Sequence, residues 1–150
     1  MAALPAHAKQ NVFRGRLTLT TEKSSIFTAI KEPNDLAERY VAVWMERDAE
    51  QRRRQIAALF VPDGEHYVEA RTVAGYEALE QRVIDAHNEL VRDAGNRFRA
   101  VPGARREGDV VTFYWEMLPA GEERVLGKGL EFLIVSKGGQ IVQDYQFYPA

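Results

Sequence analysis

Hydrophobic residues recur along this chain with two periods, and the change from one to the other divides it. Leu36, Tyr40, Val43 and Trp44 fall at i, i+4, i+7 and i+8, one stripe of an α-helix. Pro33-Asn34-Asp35 precedes most of that stripe. Asp35 can cap, and Glu38 three residues later completes a capping box, so the helix is expected to start there and to end near Asp48. Ala49 to Phe60 reads as a second helix with Ile56, Leu59 and Phe60 inward and its Arg52-Arg53-Arg54 run solvated. Pro62-Asp63-Gly64 is turn chemistry. Glu65 to Arg71 then reads as a strand, with Tyr67 and Glu69 on one face and His66 and Val68 on the other. Tyr76 to about Asp93 is a long third helix whose stripe includes Leu79, Val83, His87 and Leu90, and Gly95-Asn96 ends it.

Beyond Gly95 the period shortens. Arg97 to Val101, Val110 to Leu118, Arg124 to Val135 and Gln140 to Tyr148 read as strands parted by turn-rich segments such as Pro119-Ala120-Gly121 and Lys137-Gly138-Gly139. Short connections imply an antiparallel meander, and helices followed by strands are the α+β pattern. The expected organisation is a domain over residues 34–150 behind an N-terminal arm of residues 1–33, in which Val12 to Thr20 alternates loosely like a strand.

Composition narrows the function classes. A chain of 150 residues with 45% hydrophobic and 28% charged residues fits one ordinary globular domain with a sizeable core. A formal net charge of −2 offers no field for nucleic acid or an acidic membrane. Without cysteine there is no disulfide, thiol nucleophile or zinc thiolate site. His7, His66 and His87 lack ligand spacing, so no metal is expected. Neither a phosphate-cradling Gly-rich loop nor a Gly-x-Ser-x-Gly elbow occurs, so no cofactor and no serine-hydrolase chemistry are expected. No apolar run approaches the length of a membrane span, and the N-terminus lacks an apolar signal core; the expected location is cytoplasmic.

Tyr40-x-x-x-Trp44 with Asp48, Ala58-Leu59-Phe60-Val61-Pro62-Asp63 leading into His66-Tyr67-Val68-Glu69, Gly75-Tyr76-Glu77-Ala78-Leu79, Phe113-x-Trp115 and Gly138-Gly139-Gln140-Ile141-Val142 follow one another in a familiar order. In these motifs residues 34 to 148 resemble the nuclear transport factor 2-like superfamily, and within it the SnoaL-like proteins. The resemblance implies a cone-shaped α+β barrel, three helices packed in a curved, mostly antiparallel sheet, with a pocket and a homodimer formed through the sheet. That superfamily holds ketosteroid isomerases, polyketide cyclases, limonene-epoxide hydrolases and non-catalytic carriers, so the fold leaves the function open.

Glu131 is the first candidate for chemistry. It shares a strand face with Gly127, Gly129, Leu133 and Val135, where apolar neighbours disfavour its charge and suit it to general acid or base work. An exposed glutamate paired with Arg97, Arg99 or Lys128 is the alternative. SnoaL-like cyclases carry a polar pair, commonly histidine and aspartate, on the pocket face of the last strand, and the resemblance matches it to Asp144 and Gln146. Gln146 stands where those cyclases have their catalytic aspartate and cannot act as a base, so that mechanism does not carry over. Periodicity, in contrast, makes Ile141, Tyr145 and Phe147 the apolar face and turns Asp144 and Gln146 outward. Tyr40 or Tyr67 could donate to an oxyanion, with Glu69 beside Tyr67, and His87 could shuttle a proton or sit in the core. Trp44, Phe98, Phe113 and Trp115 are core or pocket wall. The expected function is a pocket for an apolar small molecule, with acid/base isomerase or cyclase-like chemistry needing no cofactor. A non-catalytic carrier dimer and a protein-interaction scaffold are the alternatives.

Overall fold

The computed structural model describes residues 32–150, so the Val12 to Thr20 strand and almost all of the expected arm lie outside the described residues. Within them, α1 (residues 32–45) and α2 (Ala49–Leu59) lead into β1 (Phe60–Val68) and β2 (Arg71–Ala74). Helix α3 (Tyr76–Ala86) continues as a π-helical segment, His87–Asp93. Strands β3 (Asn96–Ala100), β4 (Arg105–Glu107), β5 (Val110–Pro119), β6 (Gly127–Val135) and β7 (Ile141–Phe147) complete the chain. The sheet runs β2-β1-β7-β6-β5-β3 with β4 added to β5; β1 and β7 pair parallel and every other pair is antiparallel. This is the expected α+β fold, with a sheet that curves around the helices without closing. Among the described residues no helix is long and apolar enough to cross a membrane.

Local chemistry was used differently from expectation at three places. Pro33, Asn34 and Asp35 lie inside α1 rather than at its cap. The Asn34 side chain instead accepts from the backbone N–H of Gly103 and of Ala104, each at 3.1 Å, tying α1 to the loop before β4. Asp48 caps α2, its carboxylate accepting from Gln51 N at 2.8 Å. Pro62-Asp63-Gly64 interrupts β1 without ending it: against β7 the pairing steps from Phe60↔Ile141 to Glu65↔Gln143, a bulge.

The core is the stripe of α1 laid against the sheet. Leu36, Ala37, Tyr40, Val41 and Val43 are buried with Ile56 and Leu59 of α2, Leu79 and Val83 of α3, and Phe113, Leu133 and Ile141 of the strands. Arg52 departs from the expected solvated run: it is buried and donates to the Glu46 carbonyl at 2.9 Å, while Arg53 and Arg54 pair with Glu80 and Glu50 outside.

Candidate functional site

Strand register assembles the site. On β6, Gly129, Glu131 and Leu133 face the helices; Glu131 lies opposite Gln146 and Leu133 opposite Asp144, so the two acids are diagonal neighbours on one face. Asp144 lies directly across from His66 of β1. Trp115 lies opposite Gly129 and its indole covers that residue; a Cβ there would sit 2.0 Å from Trp115 Cε2, which is why glycine is needed.

A bulge decides the orientation of β7. Val135 pairs with Ile141 but Ile134 pairs with Gln143, so β7 advances two residues against one. Side-chain parity reverses there, and Ile141 and Asp144 both point inward while Tyr145 and Phe147 point outward. The apolar-face reading of Tyr145 and Phe147 therefore gives way: Asp144 and Gln146 turn to the inner face, where Gln146 lines the cavity and Asp144 is fully buried without lining it.

The buried polar groups converge on Asp144. Its Oδ2 accepts from the Tyr40 hydroxyl at 2.6 Å and lies 2.8 Å from His66 Nδ1, which carries the proton beside an ionised carboxylate. Glu131 Oε1 accepts from Trp115 Nε1 at 2.7 Å. Both acids are wholly buried. Burial pushes Glu131 well above the usual carboxyl range, the Asp144 charge and a hydrogen bond to Asp144 push it further, and donation from Trp115 and Tyr40 offsets only part of this. Burial also works against the Asp144 charge, but hydrogen bonds from His66, Glu131 and Tyr40 outweigh it and leave Asp144 below the usual range. The Tyr40 phenol is raised by burial and by the two acids. Glu131 is thus a neutral acid beside an ionised Asp144, two carboxyls whose surroundings separate their roles.

A cavity of about 220 Å³ reaches Glu131. Tyr40, Trp44, Phe98 and Trp115 form its aromatic walls, and Gln146 and Tyr148 stand on the strand β7 side, joined by a 2.8 Å bond from the Gln146 amide to the Tyr148 hydroxyl. Phe98 meets Trp115 edge-on at 5.4 Å, and Phe113 braces Tyr40 from behind at 5.4 Å. Such a lining, apolar with a few polar groups, suits a small molecule.

Three candidates lie elsewhere. Tyr67 is on the outer face, stacked on Tyr145 at 4.7 Å, and its hydroxyl donates to Glu65. Glu69 is exposed in the β1–β2 turn at φ 47°, 3.6 Å from Arg71. His87 is buried at the start of the π-helical segment, where it lines a separate groove with Arg52. Sequence reasoning missed His66, although its alternation with Val68 placed it on the inner face of β1, and it missed Arg82 of α3, which lines the cavity one position from buried Val83.

No protein-family model and no curated protein sequence matches the chain. Solved structures match it in shape. A protein described as a proposed isomerase of the SnoaL-like family, from Agrobacterium tumefaciens, aligns at a TM-score of 0.72 and 18% identity over 80% of this chain and 99% of its own. An NTF2-like protein of unknown function from Exiguobacterium aligns at 0.59 and 17%, over 76% and 98%. A proposed polyketide cyclase from Sinorhizobium meliloti aligns at 0.57 and 12%, over 75% and 94%. The chain has the NTF2-like, SnoaL-like fold, and at these identities the likeness is one of fold.

Proposed function

We propose that this chain binds an apolar small molecule in the cavity and moves a proton on it without a cofactor, with Glu131 as the proton donor. One observation carries the reading: a fully buried carboxyl is the acid that a largely apolar cavity reaches, and burial favours its neutral form. Donation to one ligand atom would leave Glu131 charged beside Asp144, a state that burial resists; Trp115 Nε1 steadies it. Recapture of a proton from a second ligand atom restores the acid and leaves the ligand isomerised. The Tyr40–Asp144–His66 cluster supplies the fixed charge that keeps the Glu131 proton in place. The description of one structural neighbour as a SnoaL-like isomerase supports the same reaction class.

The test is hydrogen exchange in D2O on a panel of apolar cyclic ketones, followed by NMR. Wild-type protein is expected to speed exchange of one or more panel members and Glu131→Gln to abolish it with binding retained. Equal exchange by both proteins would remove Glu131 from the reaction. A binding role without chemistry draws on the hydrogen bonds by which Tyr40, His66 and Trp115 already engage the two acids; it predicts a retained ligand and no exchange. Tyr114, Phe132 and Phe147, exposed on the outer face of the sheet, support a second copy of the chain as the partner there.

A further inference from the structure

We propose that the ligand of this cavity is an apolar acid and that Arg82 is the residue that reads its carboxylate, an inference that rests on the cavity being a ligand site. Arg82 shares the inner face of α3 with Leu79, Val83 and Ala86, a position that buried apolar side chains otherwise occupy. Its guanidinium lies over the Trp44 ring, 5.3 Å from the centroid, and lines the cavity. This cation–π contact holds the guanidinium at the cavity wall, where its fork can offer two parallel hydrogen bonds.

The protein supplies no anion for that edge. Among the described residues Arg82 forms no ion pair, and its Nε is enclosed without an acceptor. Acids near it are committed elsewhere. On its own helix Glu80 pairs with Arg53 at 2.9 Å, and Asp85, three residues on, accepts from Gln81 at 2.8 Å. Of the two buried acids, Asp144 Oδ2 is held by Tyr40 and His66 and Glu131 Oε1 by Trp115; Asp144 Oδ1 and Glu131 Oε2 have no partner, and neither acid forms an ion pair with Arg82. Eight other described arginines, among them Arg53, Arg97 and Arg99, have carboxylate partners; Arg39, Arg47, Arg52 and Arg105 form no ion pair either, but Arg82 is the arginine that lines this cavity. A guanidinium that is half-enclosed, set over an indole and without a counter-ion is matched by a planar carboxylate, which accepts both N–H bonds at once. The aromatic walls then take the apolar body of the same molecule.

Isothermal titration of the full chain with 2-naphthoate and with 2-naphthylmethanol, which share a ring system and differ in charge, tests this. Wild-type protein is expected to bind the acid at least about tenfold more tightly, the scale of a charge-assisted hydrogen bond. Arg82→Gln should bring the two affinities together by weakening the acid alone. Arg82→Lys, which keeps the charge and loses the fork, should retain part of the preference, and Lys128→Gln, at the same cavity, should retain all of it. Equal wild-type affinities would overturn the role of Arg82 and leave the cavity reading standing. A preference that survives in Arg82→Gln, or that disappears in Lys128→Gln, would also overturn it. If neither naphthyl compound binds, both readings fall. Should Arg82→Gln fail to fold, an Arg82→Lys variant with an undiminished preference would reject the bidentate contact.

Discussion

The two faces of the sheet differ from the usual assignment of residue types at one place, the end of β7 and its neighbours. On the inner face β7 presents Asp144 and Gln146; on the outer face the same strand presents Tyr145 and Phe147. A one-sided antiparallel sheet ordinarily turns its apolar residues to the core and its polar ones to water. Here the inner face holds Glu131, Asp144 and His66, all essentially without solvent exposure, while Tyr114, Phe132 and Phe147 are exposed outside. Burying polar groups costs free energy unless every one is paired, and the inner ones are paired only in part: Tyr40 and His66 hold Asp144 Oδ2 and Trp115 holds Glu131 Oε1, while His66 Nε2, Glu131 Oε2 and Asp144 Oδ1 have no partner. Stability alone would favour an apolar inner face. The polar cluster where the cavity meets the sheet supports the proposed site, and the aromatic outer face the proposed second copy.

Breaking the inner cluster should have the largest effect. Asp144→Ala leaves His66 and Tyr40 buried without their shared acceptor, and a loss of about 3–5 kcal/mol in urea unfolding is expected. A loss under about 1 kcal/mol, the worth of an ordinary exposed pair, would mean that the cluster is not energetically closed. Next comes Gly129→Ala, whose added methyl would strike the Trp115 ring and displace it from Glu131. Overpacking of this kind costs about 1–3 kcal/mol, read by the same unfolding and by a shift in tryptophan fluorescence.

Glu131→Gln sharpens the comparison through pH. The raised Glu131 contributes stability that is present at low pH and lost as pH rises through its folded value; the lowered Asp144 contributes stability present above its unfolded value and lost as pH falls through its folded one. Wild-type stability should therefore decline on both sides, and Glu131→Gln should flatten the alkaline side while leaving the acid side, measured as Tm against pH. An unchanged alkaline decline would show that Glu131 is not neutral in the folded protein. The smallest effect on stability belongs to the outer face. Phe132→Ser should change unfolding free energy by less than about 0.5 kcal/mol in the monomer, yet shift sedimentation toward monomer if a second copy covers that face.

Much of the frame was legible from local pattern. The α1 stripe, the third helix, the four later strands and the inward Glu131 follow from periods of 3.6 and 2, which neighbouring residues set among themselves. The short strands β2 and β4 were not legible, because three or four residues carry too little periodicity to register. The candidate site was half legible: Tyr40, Trp44, Phe98, Trp115, Glu131 and Gln146 do line the cavity, whereas Tyr67 lies on the outer face of β1, Glu69 in the turn after it, and His66 was passed over.

The sequence by itself determined which segments are helix and strand and that Glu131 shares a face of β6 with apolar residues, since those depend on residues a few positions apart. Only the tertiary structure decided that Asp144 points inward, because its orientation follows from a bulge against β6. It alone brought His66 and Tyr40, 78 and 104 residues away in the chain, onto one carboxylate oxygen. Pairing register is a property of two strands together, and no period within either one contains it.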